Sequence, residues 1–216
     1  MNMEQNKPKQ ESENSSCGCG IPDTSTQSER RILIIVLILN GGMFFVEFGA
    51  GLMSNSTALI ADSLDMLADA FVYAIGLYAL GRSQIWRNRA ALMNGSLQML
   101  LGIGVIVEVF FKLSSNVLPH SETMGIFAVM ALLVNTISFI LLTRFRDGDI
   151  NLRATWICSR NDMLANIGVL IAAGLVSYTQ TAWPDIIIGV IIAVVIIHSA
   201  KNIITEAIVK QKQSTS

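Results

Sequence analysis

Three carboxylates, Asp62, Asp65 and Asp69, stand in one apolar run, Thr57–Leu80, that is long enough to cross a bilayer. At about 100° per residue, a helix gathers them within about 60° of one face. Each costs about 2.5 to 3.5 kcal/mol at the centre of a membrane span, so three on one face call for a positive ion or for protons. A second set recurs at four-residue spacing further along the chain: Cys158, Asp162 and Asn166. Residues four apart stack on one helix face, about 6 Å apart along the axis. Two helices that each offer a pair, Asp65 with Asp69 and Cys158 with Asp162, can surround one divalent ion if those faces meet. Carboxylate and thiolate ligands suit Zn2+ and its neighbours. They bind only when deprotonated, so metal and protons compete for the same groups. Arg160 is rotated about 160° from Asp162 and should point away from the stack, towards the membrane interface.

Other polar residues within apolar runs are accessory candidates. Asn40 and Glu47 lie seven apart on one face of the first run, where either function or a structural hydrogen bond explains them. Asn94 and Gln98, and then Asn135 and Ser138, read as hydrogen bonding between helices. His198 reads as a packed or interface residue. Cys17 and Cys19, one residue apart near the start of the chain, offer two thiols for a soft metal, and cytosolic placement argues against a structural disulfide there.

The elements that must position these groups follow from composition. The 216 residues are 52% hydrophobic and 14% charged, where a soluble domain carries about 25% charged residues. The apolar runs are Ile32–Met53, Thr57–Leu80, Ala91–Phe111, Met124–Thr143, Trp156–Tyr178 and Ile186–Ile204. Each is near the length of about 20 residues that a spanning helix needs. The expected fold is all-α, a bundle of six transmembrane helices. Lys and Arg crowd the segments before the first run, between the second and third, between the fourth and fifth, and after the sixth, while the opposite side has Lys112. Both termini are therefore expected in the cytoplasm. Residues 1–29 read as a disordered cytoplasmic tail, 30–206 as the transmembrane domain and 207–216 as a short cytoplasmic tail. Gly49 and Gly51 are expected to end the first helix near a tight turn, with Asn55 or Ser56 capping the second. The net charge of -1 gives no electrostatic case for nucleic acid. No HExxH or GxSxG pattern is present, and Cys158 has no His in its run, so enzyme chemistry has no foothold.

The stretches NSTALIADSLDMLADAF and CSRNDMLANIGVLIAAGLV resemble the second and fifth spans of the cation diffusion facilitators. Asn40, Glu47, Ala61–Ser63 and Pro184–Asp185 also resemble that family's pattern, and the likeness runs from about Arg30 to Glu206. It implies a six-span exporter of divalent metals coupled to protons, working by alternating access in a plasma membrane, as in a bacterial inner membrane. It places the transport site at Asp65, Asp69, Cys158 and Asp162, with Asp62, Asn40, Glu47, Asn166, Cys17 and Cys19 as accessories. The cargo implied is Zn2+, with Cd2+ and Co2+ as further candidates; H+ is the counter-ion, and no permanent cofactor is expected. A homodimer is the implied assembly, although this sequence has no counterpart of the His-rich loop or of the C-terminal cytoplasmic domain that supports the dimer. Zinc members usually have His at the first position of one or both pairs, where this chain has Asp65 and Cys158. The alternative is a metal-binding membrane sensor or accessory protein that does not transport.

Overall fold

The computed structural model describes residues 27–79, 84–115, 117–143 and 150–213. They form six helices in chain order: α1 (Gln27–Ser54), α2 (Thr57–Ala79), α3 (Gln84–Ser115), α4 (Ser121–Thr143), α5 (Ile150–Thr179) and α6 (Trp183–Gln213). Hydrocarbon offers no water to an unpaired amide, so an apolar run can cross it only by satisfying its own backbone, as a helix does. Five of the six are long and apolar enough to cross a membrane. The exception is α2, whose 23 residues hold the three aspartates. Large apolar side chains cover the outside, among them Ile38, Phe45, Phe111, Ile126 and Leu164. A soluble monomer rarely exposes so much contiguous apolar surface, whereas lipid is its natural solvent.

Several helices run past their expected bounds: α1 begins before Arg30, α3 before Ala91, and α6 continues to Gln213 through residues that the sequence suggested were tail. The close of α1 comes just past its glycines, in a tight turn, as the sequence suggested. The helix ends at Ser54, and Asn55 adopts a left-handed conformation with φ of 52°, which Asn tolerates better than most residues. Ser56 N–H donates to Gly51 O at 2.9 Å and Asn55 N–H to Leu52 O at 3.4 Å, together a Schellman close. Ser56, rather than Asn55, then caps α2: its Oγ accepts from Leu59 N–H at 3.1 Å.

The ends of five helices meet here. His120 N–H, just before α4, donates to Ser54 O at 2.9 Å. Asp185, in the first turn of α6, accepts from Thr57 N–H at 2.8 Å, from Ala58 N–H at 3.1 Å and from Ser56 Oγ at 2.5 Å. Lys112 near the end of α3 pairs with Asp185 and also donates to Asn55 O. The starts of α2, α4 and α6 thus share one end of the bundle with the close of α1 and α3. Gln27 and Gln213 fall at the other end, as the sequence suggested for the two termini.

Small residues let the helices close on one another. A Cβ on Gly189 of α6 would stand 2.7 Å from Thr57 Cγ2 and 3.1 Å from the Thr57 carbonyl carbon. At the α3–α6 crossing, a Cβ on Gly102 would stand 2.6 Å from Ile197 Cγ1. The main apolar cluster draws on all six helices, with Ala50, Leu59, Val105, Ala128, Val169 and Ile192 among its members. A second, around Leu33, Val72, Tyr73 and Leu142, fills the end nearer Gln27. The acidic residues of α2 lie between these two layers.

A candidate metal site between α2 and α5

On α2, Asp65 and Asp69 stand eight and twelve residues past the helix start, about 12 and 18 Å along the axis, which is mid-depth for a bilayer core of about 30 Å. Asp65 is half-buried and Asp69 is buried. Asp69 Oδ2 accepts from the Tyr73 hydroxyl at 3.3 Å, one helical turn on. From α5, Asp162 turns its carboxyl towards Asp69. Cys158 is buried one turn earlier on the same helix. Arg160 is exposed, as expected for a residue on the opposite side of α5.

Asp65, Cys158 and Asp162 line one cavity of about 590 Å³ beside α5 and α6, to which His198 and Ser199 of α6 and Asn161 of α5 also contribute. The two i, i+4 pairs named by the sequence therefore converge on one region. They do not form a finished cage: among the described residues, no group of three or more His, Cys, Asp or Glu is disposed to hold a metal ion.

The other candidates are placed differently. Asp62 shares the acidic face of α2, yet it faces Glu47 of α1 and accepts from Asn166 Nδ2 at 3.4 Å. Seven residues separate it from Asp69, about 10 Å along the helix, so a common face does not mean a common site. Asn166 continues the Cys158–Asp162 face, as the spacing indicated, but its amide turns to Asp62 and to the Asp162 carbonyl, the latter at 2.7 Å. Asn40 is buried and donates to Val36 O of its own helix at 3.0 Å. Cys17 and Cys19 lie outside the described residues.

Tyr73 was not among the residues that the sequence singled out. It sits four residues after Asp69, so helical spacing alone could have flagged it. His198, read as a packed or interface residue, is exposed and also borders the cavity that Asp65, Cys158 and Asp162 line, because of where α6 passes α5.

The cation efflux transmembrane domain model matches residues 33–210, which includes every candidate residue just described. The chain belongs to the cation diffusion facilitator family. Among curated members of the family, it is 28% identical over 199 residues to the metal cation efflux system protein CzcD of Cupriavidus metallidurans, covering 82% of this chain and 62% of that one. It is 24% identical over 197 residues to the cadmium, cobalt and zinc/H(+)-K(+) antiporter of Bacillus subtilis, covering 84% and 63%. It is 29% identical over 200 residues to the zinc transporter ZitB of Yersinia pestis, covering 85% and 63%. The chain thus spans less than two thirds of the length of these family members.

Proposed function

We propose that this chain exports divalent heavy-metal cations, Zn2+ first and Cd2+ and Co2+ with it, in exchange for protons. The observation that carries the reading is the convergence of Asp65, Cys158 and Asp162 on one cavity, with Asp69 against Asp162 behind it. Membership of the family and the metals in the names of its relatives point the same way.

The chemistry is an exchange of charges at one place. Two carboxylates held together in an apolar interior repel unless a cation sits between them. A divalent metal offsets that repulsion and needs its ligands deprotonated. When the metal leaves, protons can take its place on Asp65, Asp69 and Asp162, which keeps the empty site neutral enough to reorient. Alternating access then amounts to α2 and α5 shifting against the remaining helices, exposing the site first to the side on which Gln27 and Gln213 fall and then to the far side.

Reconstituted vesicles test this. Zn2+ uptake driven by an imposed proton gradient is expected for the wild type and lost in Asp69→Ala and Asp162→Ala. Metal binding without uptake would favour the non-transporting alternative, and no binding at all would overturn both.

A further inference from the structure

Away from the metal donors, the interior holds a second group of oxygen atoms with nothing to bind. Glu47 of α1 is fully buried, and neither of its carboxylate oxygens has a hydrogen-bond partner among the described residues. Asp62 of α2 faces it, also buried, with Oδ2 unpartnered. Asn166 of α5 is fully buried too; its Nδ2 is engaged, while its Oδ1 has no partner. Every one of these orphan atoms is an acceptor. Two facing carboxylates offer each other no hydrogen, and an unmatched buried polar group costs about 1 to 3 kcal/mol, more when it is charged. Three helices would not converge on such an arrangement unless something positive completed it.

The donor chemistry restricts what that is. The α2/α5 site includes a sulfur, which favours softer metals. This set is oxygen only, which favours a hard cation. We propose that Glu47, Asp62 and Asn166 form a second cation site, separate from the metal donors, that takes a hard singly charged cation, either a proton or an alkali ion. The proposal rests on the transport reading for its role, which is to hold a counter-cation in addition to the protons that replace the metal on Asp65, Asp69 and Asp162. Asp62 is the ionisable group that Glu47 faces; Asp65 and Asp162 stand beyond Asp62, and α4 has Glu122 in its first turn. Coupling to the metal site runs through Asn166, whose amide joins Asp62 to the Asp162 backbone. Filling one site therefore biases the relative position of α2 and α5, which carry the other.

The test uses the full chain in lipid vesicles, with Zn2+ as the probe metal and imposed gradients of H+, Na+ and K+ in separate arms. The wild type should respond to one gradient, which identifies the counter-cation. Glu47→Gln keeps the shape and removes the charge. It should leave Zn2+ binding in detergent within about threefold and cut the response to that gradient by about tenfold, a coupling of ordinary size. Glu47→Asp should restore part of the response. An unchanged gradient response in Glu47→Gln overturns the proposal, and so does parallel loss of binding and uptake without rescue by Asp. Should Glu47→Gln fail to assemble, wild-type protein saturated with Zn2+ decides the matter. A protonated-carboxyl infrared band, or a rise in unfolding temperature specific to Na+ or K+, supports the site, and the absence of both overturns it. A wild type that moves no metal under any gradient defeats the transport reading, while these binding readouts still decide the second site.

Discussion

Lys112 and Asp185 form a buried ion pair, Nζ to Oδ2 at 2.6 Å, joining the end of α3 to the start of α6. Asp185 also accepts from two backbone amides at the start of α2. A carboxylate there meets the positive end of the α2 dipole, so α6 supplies part of the α2 cap from across the bundle. Lys112, the basic residue that seemed out of place on its side of the membrane, is buried against this carboxylate.

Removing one partner should therefore be costly. Lys112→Met leaves Asp185 buried without its cation and is expected to destabilise the folded chain by about 3 to 5 kcal/mol. Asp185→Asn should also destabilise it, and the double variant by less than the sum, because the two changes remove one interaction. Unfolding of the three variants in detergent measures this. Additive losses would mean the pair is not coupled.

The approach of α6 to α2 makes a second test. Gly189→Val puts atoms where Thr57 and its backbone already stand, and overpacking of this kind costs about 1 to 3 kcal/mol. Gly174 is exposed and would meet nothing within 4 Å. Gly174→Ala should leave the unfolding temperature unchanged or slightly raised, while Gly189→Val lowers it.

At the proposed metal site, Asp69→Ala and Asp162→Ala should each abolish tight Zn2+ binding, because neither helix alone offers more than a pair of candidate donors. Acidification should weaken binding in the wild type, since added protons occupy the carboxylates that the metal needs. Calorimetric Zn2+ titration at several pH values checks both statements. Affinity that stays constant as pH falls would exclude carboxylate ligation.

Tyr73 is expected to orient Asp69 rather than to ligate. Tyr73→Phe removes its hydroxyl and keeps the ring packed against Leu33 and Leu142. It should weaken Zn2+ binding by about tenfold, the usual size of an outer-shell loss, without lowering stability by a comparable factor.

Cys158 should govern selectivity. Under reducing conditions, Cys158→Ser is expected to lower Cd2+ uptake more than Zn2+ uptake, because sulfur matters more to the softer ion. Equal losses for the two metals would deny the thiol a selective role.

The sequence by itself determined the helices and what each carries. Runs of about 20 apolar residues in a bilayer can only be helical, and the fixed angle per residue put Asp65 with Asp69 and Cys158 with Asp162 on common faces. Tyr73 was within reach of the same rule.

Only the tertiary structure decided which faces meet, and at what height. Asp62 shares a face with Asp65 and Asp69 but faces Glu47 and accepts from Asn166, because rotation and depth of one helix against another are set by packing between chains of atoms far apart in sequence. Gly189 against Thr57, Gly102 against Ile197 and the knot around Asp185 fix those offsets. Helical periodicity fixes angles within one helix; the placement of His198 beside the donors and of Lys112 against Asp185 depended on contacts that no single helix contains.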